Sequence, residues 1–246
     1  MRNLLLAASL IAFGVGCGEQ NENSSSKITE GVELGSSFSS IVKYYIDKEE
    51  GRFLCTGTFI TRSLVLTAGH CVAGANSVEI ATGYALGQSP DEIVIHPQYD
   101  DFRWYKTSQY DLALLKFDDE VTINFVPVSV QKALSGNVAK IIGFGNDDLI
   151  EKTGAGVKRL GFTIIGDIKN GRIYADGSSG NSELDWDDGE SILGGGDSGG
   201  PMILFRNNFS EHLVGIASGG GKTDSFWVDL HSRTSKRFLS DHGYEY

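Results

Sequence analysis

A histidine, an aspartate and a serine stand in three unusual strings: LTAGHC at 66–71, YDLALLKF at 110–117 and GGGDSGGP at 194–201. These are the residue types of nucleophilic acyl transfer. A serine hydroxyl is a weak nucleophile at neutral pH and needs a positioned base. His70 would take the proton of Ser198 and return it to the leaving amine, while Asp111 would hold one imidazole tautomer and stabilise its cation. Each string alone has a plainer reading: a core His beside a Cys, an Asp that caps its own turn before an apolar strand, a glycine-rich loop. All three in the order His, Asp, Ser favour the catalytic reading. An esterase with a GxSxG elbow would carry the order Ser, Asp, His.

The three candidates lie far apart in the chain, so the fold must bring them together. Short segments rich in Val, Ile, Phe and Tyr recur at Ile41–Ile46, Phe53–Ile60, Leu64–Thr67, Val78–Ala81, Ile93–Ile95, Leu112–Phe117, Ala139–Phe144, Leu160–Ile165, Arg172–Tyr174, Met202–Phe205, Leu213–Ala217 and Phe226–Leu230. Gly, Asn, Asp and Ser separate them. Many short strands at this spacing indicate an all-β sandwich or barrels, not βαβ units. Ser232–His242 places Phe238 and Leu239 among charged residues and predicts a terminal amphipathic helix. The chain divides near Val130–Gly136, with residues 28–130 carrying His70 and Asp111 and residues 131–246 carrying Ser198. Each part has the size of a small barrel, roughly 100–120 residues.

The 246 residues are 40% hydrophobic, which excludes a disordered chain. Thirty-two acidic against 21 basic residues leave a net charge of -11, which repels phosphate backbones and argues against nucleic acid as a partner. At the N-terminus, Arg2 and the apolar run Leu4–Gly16 have the layout of a secretory signal over residues 1–16. Cys17 follows in GVGC, which resembles a bacterial lipoprotein processing site, with Gly14 where such sites usually carry Leu. Lipidation at Cys17 and ordinary cleavage nearby are both open. Residues 17–27 are polar and read as a tether or propeptide. With Cys17 lipidated or removed, Cys55 and Cys71 remain. An exported protein meets an oxidising compartment, so they are expected to pair. Two cysteines and one adjacent His make an incomplete metal-ligand set.

FLCTGTFITRSLVLTAGHC at 53–71, IVIHPQYD at 93–100, DLALL, GDSGGP and LVGIASGGG at 213–221 together resemble the chymotrypsin-like (trypsin-family) serine proteases over nearly the whole mature chain. The resemblance implies two six-stranded antiparallel β-barrels with the active site between them. It implies protein or peptide substrates, exposure to proteinaceous inhibitors and a monomer. Between Val78 and Ile95 only Glu79, Asp91 and Glu92 offer oxygen ligands, too few for a calcium loop, so no metal or cofactor is expected. The backbone N–H groups of Gly196 and Ser198 would form the oxyanion hole, and the Cys55–Cys71 bridge matches the family's disulfide that fastens the His loop. Cleavage after Lys27 would free Ile28, whose amine would pair with Asp197 and complete the site. Gly31 matches the family's new N-terminus; Thr29 and Glu30 depart from it. If Cys17 is lipidated, the same cut releases the enzyme from its anchor. A catalytically silent member of the fold would lack a triad residue, and none is missing.

The same resemblance implies a primary pocket lined by Ile192, Ser218, Gly220 and Ser225. Ile192 stands where trypsin-like members carry an Asp, which argues for an apolar residue before the scissile bond. Asp187, Asp188 and Glu190 lie close enough upstream for a loop shift to bring one in. Gly219 and Gly220 are expected to leave the pocket wall open, and the resemblance implies a hydrogen bond from Ser218 to Asp111. Gly194 stands where the family has a pocket-flanking Cys.

Overall fold

Among the described residues, fourteen strands and three short α-helices position the three candidates. The computed structural model describes residue 28 and residues 31–147, 153–176, 191–205, 211–220 and 224–245. Residues 1–27, with the signal segment, Cys17 and Lys27, lie outside the described residues, as do Asp187, Asp188 and Glu190.

In chain order the elements are β1 (Val32–Glu33), β2 (Ile41–Lys48), β3 (Gly51–Phe59), β4 (Leu64–Thr67), α1 (Gly69–Val72), β5 (Ser77–Ile80), β6 (Glu92–Ile95), α2 (Trp104–Thr107), β7 (Ala113–Lys116), β8 (Val138–Gly143), β9 (Arg159–Ile164), β10 (Ile168–Lys169), β11 (Arg172–Asp176), β12 (Pro201–Phe205), β13 (Glu211–Gly220), β14 (Asp224–Asp229) and α3 (Arg233–Asp241). β2 alternates as a half-buried strand should: Tyr44 and Ile46 are buried, with Lys43 and Tyr45 only partly so. β4 and most of β7 are buried throughout, as continuous apolar runs demand.

The named strands pair antiparallel throughout; one isolated bridge, Val128 with Leu213, is parallel. One six-stranded sheet runs β5-β2-β3-β4-β7-β6, and one eight-stranded sheet runs β1-β9-β8-β12-β13-β14-β11-β10. Each of the twelve anticipated segments is a strand, shifted by a few residues at its ends. The second sheet has eight strands where six were anticipated, because two short strands carry little apolar signal. β1 crosses from the start of the chain to pair with β9, Val32 opposite Leu160. β10 pairs with β11 across the two residues Asn170 and Gly171, both at positive φ, the hairpin turn that Asn-Gly favours.

The larger apolar cluster joins the two sheets: Phe59, Leu66 and Leu114 from the first, Ile142, Ile216 and Val228 from the second, with Phe238 and Leu239 of α3. α3 begins at Ser232, whose Oγ accepts the N–H of Ser235 at 3.1 Å, a side-chain N-cap. A bulge in β13 between Ala217 and Gly219 shifts its register against β14 just where the strand passes the candidate site.

Candidate active site

His70 sits on α1, directly after the buried strand β4. Three restraints hold that single turn of helix. Cys71 is bonded to Cys55 of β3, closing the expected disulfide. Asp111 Oδ1 accepts the His70 backbone N–H at 2.7 Å, satisfying one of the donors a helix start leaves open. Asp111 Oδ2 accepts from His70 Nδ1 at 2.7 Å.

Asp111 follows a 3₁₀ turn at Ser108–Tyr110, immediately before β7, and is fully buried. Ser218 Oγ donates to its Oδ2 at 2.5 Å, as the resemblance implies. Burial pulls the His70 pKa down, but the charge and hydrogen bond of Asp111 more than reverse this and leave it above the ordinary imidazole value. With Nδ1 engaged by Asp111, Nε2 is the ring nitrogen left to exchange a proton.

Ser198 lies in the loop that enters β12 and is partly exposed. Cys71 Sγ lies 3.8 Å from both His70 Nε2 and the Ser198 carbonyl oxygen, so the disulfide lies against both candidates. Thr56 of β3 fixes the loop from the other side. Its N–H donates to the Ser198 carbonyl at 2.9 Å and its Oγ1 to the Gly196 carbonyl at 2.9 Å. Thr56 is a site-building residue that the sequence alone does not mark, since it reads as an ordinary strand threonine. Gly196 has φ +103, a conformation side chains rarely adopt, which explains glycine at the expected oxyanion donor.

Asp197, between them, points inward and is fully buried. Its carboxyl accepts the N–H groups of Gly145 at 2.7 Å and Gly194 at 2.8 Å. A Cβ at Gly143 or Gly145 would collide with this carboxyl. Burial raises the Asp197 pKa to about 6, with the two amides and the charge of Arg159 opposing. The Ile28 side chain is 2% exposed, and its carbonyl accepts the Gly31 N–H at 2.7 Å.

The profile of the family described as Trypsin matches residues 32–228. The chain belongs to the trypsin family. It is 27% identical over 239 residues to the rat (Rattus norvegicus) protein "Chymotrypsin-like elastase family member 1", covering 87% of each chain. It is 28% identical over 188 residues to "Collagenase" of Hypoderma lineatum, covering 71% of this chain and 70% of that one. A solved structure titled "HL collagenase structure" superposes with a TM-score of 0.67 at 20% identity, covering 88% of this chain and 99% of that one. The fold is chymotrypsin-like: two β sheets and a short C-terminal helix. The chain is a serine endopeptidase of the trypsin family, a family that acts on proteins and peptides.

In this trypsin-family site the pocket candidates cluster at the start of the Ser198 loop and across β13 and β14. Ile192 is buried, and Ser225 is fully buried with its Oγ accepting the Leu193 N–H at 2.9 Å. Gly220 pairs with Ser225 in register. One expectation is corrected: the wall at Gly219 is not open. The Trp104 indole of α2 fills the space, and a Cβ at Gly219 would lie 2.9 Å from Trp104 Cζ2. Trp104 also packs on Phe226 of β14, ring centroids 5.7 Å apart, and Phe226 on Tyr174 at 6.0 Å. The sequence places Trp104 in an unmarked loop, so its contact with β13 is not legible there. Cys55, His70 and Cys71 are the one ligand-like cluster among the described residues, but both sulfurs are tied in the disulfide. No helix among the described residues is long and apolar enough to cross a membrane.

Proposed function

We propose that this endopeptidase cleaves peptide bonds through an acyl-enzyme on Ser198. His70 Nε2 takes the Oγ proton as Oγ attacks the scissile carbonyl. The N–H groups of Gly196 and Ser198 receive the negative charge that develops on the carbonyl oxygen. The protonated Nε2 then gives its proton to the leaving amine, and water repeats the sequence to release the acid. Asp111 holds the tautomer throughout. The observation that carries this reading is the double hydrogen bond from His70 to Asp111, formed beside the Ser198 loop. Reaction of the matured protein with a fluorophosphonate probe tests it. Labelling that disappears in Ser198→Ala supports the reading, and a matured protein that neither labels nor cleaves peptides removes it.

The enzyme is made as a zymogen and matures by cleavage after Lys27. Among the described residues the hydrogen-bond partners of the buried Asp197 carboxyl are the neutral amides of Gly145 and Gly194, and a buried anion gains from a buried cation. The Ile28 side chain is already packed inside, within contact of Gly31 and Gly161 when a Cβ is placed on either. The freed Ile28 amine supplies that cation and orders the loop around Gly196. The cut also removes Cys17 and the rest of residues 17–27, so a lipid anchor belongs to the precursor only. N-terminal sequencing before and after trypsin treatment reads this step directly.

Residues 28–130 and 131–246 form the two halves between which the site lies, and the enzyme acts as a monomer outside the cell or at its envelope. The residue before the scissile bond is apolar. Ile192 and a fully buried Ser225 offer no charge to a substrate Lys or Arg, and a desolvated cation without a partner is costly. The Trp104–Phe226 wall adds apolar surface for residues further upstream in the substrate.

A further inference from the structure

Lys48, the last residue of β2, reaches the helix that carries His70. Its Nζ donates to the His70 carbonyl at 3.0 Å. α1 is a single turn, and the carbonyls at its end have few helical partners of their own. A cation at that end also complements the helix dipole. His70 is therefore gripped at both ends of its residue. Asp111 takes the backbone N–H and the ring Nδ1; Lys48 takes the carbonyl.

The charges facing His70 come from three elements. Asp111 precedes β7, Asp101 lies in the 3₁₀ turn Asp101–Arg103, and Lys48 ends β2. The two carboxylates favour the imidazolium. Lys48 opposes them, and it has no ion-pair partner among the described residues that would cancel its charge. A strap with no charge would restrain α1 without this second effect.

We propose that Lys48 is a positioning residue for His70: it clamps α1 through the His70 carbonyl and offsets the negative field of Asp111 and Asp101 at the imidazole. This rests on the reading of His70 as the base. With the offset present, more of the imidazole is neutral, and so able to accept a proton, at a given pH. Without it the base needs a higher pH to work.

The test uses the protein matured by cleavage after Lys27, as wild type and with Lys48→Met and Lys48→Arg. The readouts are the pH profile of kcat/KM on a peptide substrate and an NMR titration of the His70 ring. Lys48→Met is expected to move the acidic limb and the His70 midpoint upward by roughly 0.3–0.5 pH units, as a cation in a partly solvated site should when removed. The displacement should shrink in about 1 M salt, where the screening length falls to about 3 Å. Lys48→Arg, which keeps the charge, should restore the wild-type midpoint. A Lys48→Met profile and titration that superpose on wild type overturn the proposal, even if the protein melts earlier, because lost stability alone marks a structural strap. Should Lys48→Met fail to fold, Lys48→Gln takes its place against Lys48→Arg. Activity surviving in Ser198→Ala would instead overturn the triad reading, and the ring titration would still decide the role of Lys48.

Discussion

Asp111 holds His70 by two separate atoms: Oδ1 accepts the backbone N–H and Oδ2 accepts from Nδ1, each at 2.7 Å. One carboxylate thus fixes both the helix turn and the ring that it carries. Ser218 closes the set by donating to the same Oδ2. Asp111→Asn keeps the shape but places an amide NH₂ where one of the two acceptors stood. If it faces Nδ1, the imidazole must present its lone pair there and loses the tautomer that makes Nε2 a base. The expected loss in kcat is on the order of 10⁴, the size known for this exchange in other Ser-His-Asp enzymes. Steady-state kinetics near neutral pH check it, and a loss under tenfold would remove Asp111 from its role.

The pH dependence follows from the same pair. The folded-state pKa of His70 is raised, so the protonated pair stabilises the fold at low pH, below the ordinary imidazole value. That contribution disappears as pH rises through the higher folded value. Activity must run the other way, because only neutral His70 can accept the Ser198 proton. The acidic limb of kcat/KM is expected above pH 6.5, the ordinary value. Over the same window the melting temperature of the wild type should fall relative to His70→Ala. Paired activity and thermal-unfolding measurements across this range decide it; a limb below 6.5 would contradict the charge balance.

Much of this was legible in the chain, because strands buried on one face announce themselves by alternation, and Leu64–Thr67 and Leu112–Phe117 by continuous apolar runs. β1 was not, since Val32 and Glu33 are both exposed and gain their place from a partner far away in sequence. His70, Asp111 and Ser198 were marked by their strings, and the structure places His70 against Asp111, with the His70 ring and the Ser198 carbonyl both against the Cys71 sulfur. Thr56, Lys48 and Trp104 were not marked. Each acts through a tertiary contact: Thr56 with the carbonyls of Gly196 and Ser198, Lys48 with the His70 carbonyl, Trp104 with the bare backbone of Gly219. Local pattern carries no record of such contacts.

The disulfide joins residues 16 positions apart and lies against both candidates for chemistry. A loop of that size removes denatured-state entropy worth about 3 kcal/mol. The Cys55→Ser, Cys71→Ser double variant should lose stability on that order in urea unfolding. It should also lose activity under conditions where it is still fully folded, because among the described side chains Asp111 and Lys48 are then left to hold His70. Full activity in the folded double variant would show that those two hydrogen-bonding partners suffice.

Trp104 occupies the space that a side chain at Gly219 would need. Trp104→Ala should open the wall beside β13 and expose Phe226. The expected result is a KM raised on the order of tenfold for peptides with large apolar residues upstream of the scissile bond, with kcat changed much less, since the lost contact is remote from the reacting atoms. Gly219→Leu should displace the indole and impair the same peptides. A peptide series varied at the second to fourth residues before the cleaved bond separates this from a general loss, which would lower kcat for every member.

Asp197 makes the strongest prediction about maturation. Its folded-state pKa of about 6 lies above the model-compound value of 3.8, so the uncut fold binds a proton that the unfolded chain has released. Between those values stability falls as pH rises, by at most about 3 kcal/mol once Asp197 is fully ionised. In the mature form the Ile28 amine would pair with the carboxylate, lowering its pKa and reversing the slope. Thermal unfolding of Ser198→Ala protein, which cannot digest itself, should therefore show cleavage after Lys27 stabilising the fold near pH 7.5 and doing little near pH 4. Ile28→Gly should weaken the gain, since the buried side chain is what carries the amine inward. Equal stabilisation at both pH values would mean that the new terminus does not pair with Asp197.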